Sequence, residues 1–457
     1  MRFLSAAAFS LLFSTSAFAA VTAQDWQNEL QSEIQRLSAA SPDFQAMGGV
    51  AVQEVNGQLR ATLPALVVTS PDKSSWQIPS IIMTGSASSD SVNITLPSTI
   101  TRYNAAKAAI ATMRLGAQTL NGSWNQSDNY FNSLNGNIKD VSFSDTIAKS
   151  STQVGNIAIA ASKGSSVQFS ASDVRNTTTN KEQQTLSSAI GKVNIAYQLP
   201  ETNKLTLTRL IGLFNPAILL AENQKIGITV TTEQAGMTDG KGRTTTAEKV
   251  ISAWQLEPKG TIIAASTNTQ AFIVRQTPES PYSFVLPQKL DLTATIASLP
   301  HELVSFAPGM SYTMAKAAMA KAGTTINLTN LKITTFDQGV LTGKGSVKAD
   351  NNVPSGFVGR VNLSIKELKQ LVNTMQMQLL QPDSGTKRAA KTQSLMAMML
   401  LQGMGKQNGS DTEFVVDLTS EGQTLVNGQD LSGLLPGAKG ANSVPSVPVT
   451  PVTGSNL

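Results

Sequence analysis

The sequence predicts an α+β fold dominated by β-strand: an antiparallel meander with helices packed on one face. Three observations carry this. Charged residues make up only 14% of the chain and aromatics 5%, and small or uncharged polar residues fill much of the rest; that profile suits strands better than a charged helical bundle. Short runs alternate apolar and polar side chains, the period of a strand with one buried face. The runs are joined by short polar turns, which favours hairpins over parallel crossovers.

The elements follow in order. Asp25 to Ala40 places Trp26, Leu30, Ile34 and Leu37 at helical spacing, and Pro42 stops the helix. Leu59, Ala61 and Leu63 alternate, as do Val92, Ile94 and Leu96. Tyr103 to Leu115 is Ala-rich and reads as a helix. From Leu120 to Thr206 the pattern is short strands, with Asn121-Gly122 and Asn135-Gly136 as turn pairs. Leu205 to Ala221 is apolar and contains Pro216, which reads as a helical pair or an interrupted helix. Further strands carry Ile226, Ile228 and Val230, then Phe272 and Val274, then Leu290, Leu292 and Ile296. Ser311 to Ala322 is a helix that Gly323 ends. Strands follow at Leu331 and Ile333, and at Val361, Leu363 and Ile365. A helix with Leu368, Leu371, Val372, Met375 and Leu379 on one stripe runs on from Lys366. Pro382-Asp383-Ser384-Gly385 breaks it, a second helix spans Thr392 to Gly403, and a last strand carries Phe414, Val416 and Leu418.

Four regions result. Residues 1–19 read as a signal peptide: Arg2, an apolar run from Phe3 to Phe13, and Ala17-Phe18-Ala19 as a small-x-small cleavage site. Residues 20–203 form an N-terminal β-rich region with an initial helix, and residues 204–435 a C-terminal β-rich region with Met-rich helices. Residues 436–457 form a disordered Pro/Val tail. The expected location is the periplasm, with no transmembrane segment in the mature chain. The formal charge of +5 falls to +4 once Arg2 leaves (5 − 1 = 4). No dense Lys/Arg run stands out, so nucleic acid is not an expected partner.

Chemistry is sparse. There is no cysteine, hence no disulfide, thiolate or Cys-bound metal. The single histidine, His301, follows Pro and precedes Glu, which reads as a turn or helix start rather than a catalytic base. No G-x-S-x-G elbow accompanies it. Ser70-Pro71-Asp72-Lys73, Ser127-Asp128-Asn129 and Lys259-Gly260-Thr261 approach the three motifs of penicillin-recognising serine enzymes. The first lies between strand patterns, however, where Lys73 cannot stand one helical turn above Ser70, and the third has the wrong order. Asp25, Glu29 and Glu33 at i, i+4 spacing read as a solvated face. Asp350 reads as a turn residue and not a calcium ligand. No catalytic residue, metal ligand or cofactor is expected.

Two stretches carry a resemblance. One runs Gly339-x-Leu341-x-Gly343-x-Gly345-x-Val347, then Asp350, Pro354, Gly356 and Gly359-Arg360-Val361-x-Leu363; the other is Glu421 to Leu431. Together they resemble the C-terminal part of bacterial AsmA-like and YdgA-like envelope proteins, as does the phrase Leu134 to Phe143. The likeness is firm over about a quarter of the chain. It implies a long curved antiparallel sheet facing the periplasm, offering a hydrophobic groove to lipid between two membranes. Members of that group often keep an N-terminal membrane helix, where this chain has a cleavable signal. The expected function is therefore non-enzymatic: binding of a lipid or other amphiphile in an apolar groove near Val361, Leu363, Leu371 and Met375. Adaptable methionines at 375, 377, 396, 398, 399 and 404 fit either core packing or such a surface. Two other readings stand beside it: a structural protein that docks an envelope partner through the tail, and a serine hydrolase using Ser70.

Overall fold

The computed structural model describes residues 22–40, 44–70, 73–86, 89–125, 130–162, 166–179, 183–199, 205–206, 209, 220, 224–277, 286–303, 312–335, 339–380 and 385–431. The expected signal peptide, the Pro/Val tail, Ser127-Asp128-Asn129, most of Leu205 to Ala221 and the break at Pro382 lie outside the described residues.

Among the described residues there are 25 strands, all in one antiparallel sheet, and four α-helices. The chain opens with helix α1 (Ala23–Ala40). Ten short strands follow: β1 (Phe44–Met47), β2 (Ala51–Val55), β3 (Gln58–Thr62), β4 (Ala65–Thr69), β5 (Ser75–Ile78), β6 (Ile82–Ser86), β7 (Ser89–Thr95), β8 (Thr99–Tyr103), β9 (Ala109–Arg114) and β10 (Gln118–Asn125). Eight long ones come next: β11 (Tyr130–Asp145), β12 (Ser150–Ser162), β13 (Ser166–Thr179), β14 (Thr185–Gln198), β15 (Ile226–Thr238), β16 (Thr244–Lys259), β17 (Ile262–Thr277) and β18 (Pro287–Pro300). Helix α2 (Tyr312–Ala322) leads to β19 (Thr325–Thr335), β20 (Val340–Ala349) and β21 (Phe357–Lys366). Helices α3 (Leu368–Leu379) and α4 (Gly385–Met404) then precede β22 (Lys406–Asn408), β23 (Asp411–Leu418), β24 (Thr424–Val426) and β25 (Gln429–Asp430).

From β11 to β21 each strand pairs with the next in a single meander. At β11 the sheet forks. One edge of β11 pairs with β12 throughout; on the other, the first half pairs with β10 and the second half with β9. One wing continues as β10–β7–β6–β3–β2, the other as β9–β8–β5–β4–β1. Helix α1 packs on β1, β2 and β3. Its stripe of Trp26, Leu30, Ile34 and Leu37 is buried with Leu59, Ala61 and Met83 from one wing and Phe44 and Leu66 from the other. Burying a side chain of that size stabilises by about 1.5–3 kcal/mol, so α1 holds the wings together.

Several expectations are corrected. Tyr103 to Leu115 is not helical: the chain ends β8, turns at Asn104–Ala108 and forms β9. Asn104 Oδ1 accepts the Ala108 N–H at 2.9 Å, and Ile110 and Ala111 are buried in the sheet; burial overrides the helix propensity of alanine. The region from Leu120 to Thr206 has long strands rather than short ones. Asn121-Gly122 and Asn135-Gly136 are not turns but face each other mid-strand. A side chain on Gly136 would run into Leu120 and the Thr119 carbonyl, so glycine here serves close packing. The acidic stripe of α1 is solvated only at its start: Asp25 is exposed and Glu29 half-buried, but Glu33 is 1% exposed and pairs with Arg36 at 2.6 Å. Helix α1 begins earlier than expected, capped by Thr22, whose hydroxyl accepts the Asp25 N–H while Asp25 accepts the Thr22 N–H. The second late helix is longer than Thr392–Gly403. Gly323, at φ +70°, ends α2 as expected.

Candidate functional site: the apolar face of the sheet

Directly paired residues of an antiparallel sheet share a face, so the register defines what each face carries. One row runs Phe169–Ile195–Val230–Ser252–Thr269–Leu292–Leu331. The neighbouring row runs Ala171–Val193–Thr232–Val250–Ala271–Leu290–Ile333. Both reach β20 and β21, where they meet Gly343–Leu363 and Leu341–Ile365. The other face is polar. It carries the row Ser170–Asn194–Thr231–Ile251–Gln270–Asp291–Lys332 and the row Lys192–Glu233–Lys249.

A line of irregular residues crosses the long strands. Asp140, Asp173, Gln234 and Ile273 have φ of 52°, 54°, 54° and 48°, on alternate strands. They stand in line with Gly155, Gly191 and Glu248, and the ladders skip each of these positions. The left-handed residue reverses the alternation, so positions three apart return to one face. Ile138 and Val141 accordingly share a buried cluster with Leu120. The apolar face continues beyond the line as Val174–Ile190–Ala235–Ala247–Val274. Past the same line lies a concavity of about 710 Å³ walled by Arg175, Ser187, Gly236, Thr246, Glu248 and Arg275.

The apolar face is closed at its ends and along one rim. At the N-terminal end α1 and the wings bury it. Along the rim, Leu205 and Leu220 are buried with Val167, Tyr197, Ile226, Leu256 and Ile263. Burial pushes the Tyr197 phenol up to about 12, so it stays neutral there. At the C-terminal end α3 and α4 pack Leu368, Val372, Met375 and Met398 on Phe414. Between these covers, Ala171, Val193, Thr232, Val250, Leu290 and Ile333 are half-buried. A polar island lies in this span: Trp254 Nε1 donates to Ser252 Oγ at 2.8 Å, and Ser252 and Thr269 share a hydrogen bond at 2.8 Å. Such a surface can take an apolar chain along its length, and the hydroxyl oxygens can accept a hydrogen bond from a ligand.

Three of the four residues expected to line a groove, Leu363, Leu371 and Met375, come together at the closed end. Met375 is buried, and Leu363 and Leu371 pack against its cluster; Val361 is half-buried between Gly345 and Val416. The half-buried span lies several strands away, around β13 to β19. No sequence signal separated the two, because both carry the same alternation and only α3 and α4 distinguish them. Ser70 and Lys73 lie at the hairpin between β4 and β5, with Lys73 N–H on the Ser70 carbonyl at 2.9 Å and Lys73 at φ 62°. His301 opens a short 3₁₀ turn after β18. Asp350 accepts the Asn352 N–H at 2.8 Å, a turn contact. Among the described residues, no cluster of three or more metal-ligating side chains occurs, and no helix is long and apolar enough to cross a membrane. Compared with known proteins, the chain matches no family model and no curated protein.

Proposed function

We propose that this is a non-enzymatic envelope protein that binds a lipid or another amphiphile along the half-buried span of its apolar sheet face. The observation that carries the reading is the continuity of that face. Its rows of Val, Ile, Leu and Ala run from β13 to β19, interrupted by Thr232 and the Ser252–Thr269 island; among the described residues α1 packs at one end and α3 and α4 at the other, while α2 packs on β18 and β20. An apolar surface left partly open is a recognition surface. The long antiparallel sheet is also what the likeness to AsmA-like and YdgA-like proteins implies, and the signal-like first 19 residues fit export to the periplasm. The acyl chain lies across the strands, and the Ser252–Thr269 island meets a polar group partway along it.

Native mass spectrometry of the protein, purified without detergent, tests this. A population carrying bound phospholipid is expected, and Val250→Lys should reduce it at least about tenfold, since a lysine on this face costs several kcal/mol of apolar contact and desolvation. Unchanged lipid occupancy in Val250→Lys, with an unchanged circular dichroism spectrum, would sink the proposal.

A further inference from the structure

Helices α3 and α4 have a second apolar side that the sheet does not use. Their inner stripes, Leu368, Val372 and Met375 on α3 and Met398 on α4, are buried. Facing outward, Met377 is 66% exposed, Leu380 78%, Met396 58%, Met399 48% and Leu400 56%. Ten large apolar side chains are prominently exposed among the described residues, and five of them fall within these 24 positions (400 − 377 + 1 = 24). Met396, Met399 and Leu400 stand at i, i+3 and i+4, one stripe of α4. This concentration exceeds what scattered surface residues would give.

Charge indicates the occupant. From Lys366 to Lys406 there are six Lys/Arg and two Asp/Glu, a net +4 (6 − 2 = 4), whereas the whole chain carries +5. Nearly all the net positive charge is therefore placed on the two helices and their ends. Lys369 begins the exposed side of α3, and Arg388 that of α4. Exposed Met and Leu beside cations on short amphipathic helices form a surface for the headgroup boundary of an anionic bilayer, in which the apolar side chains sink and the cations meet phosphate. Neither helix is long and apolar enough to span. We infer that the α3–α4 pair docks this protein onto anionic membrane surfaces. The inference rests on exposure and charge, and it stands whether or not the sheet carries a lipid.

Flotation of the full chain with vesicles tests it, comparing vesicles of phosphatidylethanolamine and phosphatidylglycerol with vesicles of phosphatidylcholine alone. Binding is expected to the anionic vesicles only and to weaken as NaCl rises from about 0.05 to about 0.5 M. The pair Met396→Asp and Leu400→Asp should lower it at least about fivefold. Both side chains point into solvent, so folding is retained; Met377→Asp with Leu380→Asp gives a second, independent reading. Equal binding to the two vesicle types, no binding to either, or full binding by both double variants would overturn the inference. Lipid retained by these variants in native mass spectra keeps the sheet reading separate from this one.

Discussion

At the residue scale, two polar groups bear most on the N-terminal half. Arg102 is buried where the second wing meets β11. Its guanidinium lies 3.7 Å from Asp145 and donates to Ser74 Oγ at 2.8 and 3.0 Å. Asp145 also accepts the N–H groups of Ile147 and Ala148 at 2.9 and 2.7 Å, which shapes the turn into β12. Removing one partner of a buried pair leaves the other charge without its counterion. Asp145→Ala should therefore destabilise by about 3 kcal/mol in urea melts; a loss below about 1 kcal/mol would mean that water already screens the pair. Glu29 on α1 behaves in the opposite sense. Burial and, secondarily, the nearby Asp25 raise its pKa. A carboxyl raised in the folded state costs nothing at low pH, where both states are protonated. The cost grows as pH climbs through the unfolded value and is complete above the folded one. Glu29→Gln should thus melt higher than the parent near about pH 7 and at the same temperature near about pH 3.5. An equal shift at both pH values would trace the effect to packing instead.

At the element scale, strand alternation and the stripe of α1 were legible because each is a local period imposed by one buried face. Leu59, Ala61, Val167 and Phe169 all fall inward as the pattern says. What escaped reading depends on partners distant in sequence. The Asn121-Gly122 and Asn135-Gly136 pairs have the composition of turns, yet their glycines make room for Leu134 and Leu120 on the adjoining strand. True two-residue turns of this kind are at Asn56-Gly57, between Val55 and Gln58, and at Asn427-Gly428, between Val426 and Gln429, with both residues at positive φ in each. The irregular line was written in the sequence as a three-residue step, Ile138 to Val141 or Ile190 to Val193, but it becomes meaningful only when neighbouring strands repeat it in register. The candidate site was half legible. Its chemistry, an apolar strand face, follows from alternation; its position depends on where α3 and α4 land. Helix α1 offers a test of how the ends are held. Leu30 is fully buried between the wings, so Leu30→Ala should cost about 3 kcal/mol. A loss under about 1 kcal/mol in chemical denaturation would mean that the wings stand without the helix.

For the whole molecule, the consequence is an uneven distribution of stability. Fully buried side chains concentrate at the N-terminal end, where Trp26, Leu30, Leu59, Leu63, Met83, Trp124 and Phe131 are at most 1% exposed. The span from β13 to β19 has its ladders but half-buried side chains on its apolar face. Local opening follows burial, because the free energy of opening a segment is set by the apolar contacts it must break. Amide hydrogen exchange should therefore be fastest, among paired strands, in the middle of β14 to β18 and slowest in β3 beneath α1 and in β6 and β7 that continue its wing. A ligand that covers the open face binds the folded state alone, and at a hundred times its dissociation constant it would add about 2.7 kcal/mol. Adding a monomeric lysophospholipid should slow exchange in β14 to β18 and leave β3, β6 and β7 unchanged. Slowing confined to α3 and α4 would place the amphiphile on the outer helix surface, and no slowing anywhere would remove the case for a sheet-bound ligand. The pattern of protection thus separates the two apolar surfaces that the sequence describes in the same terms.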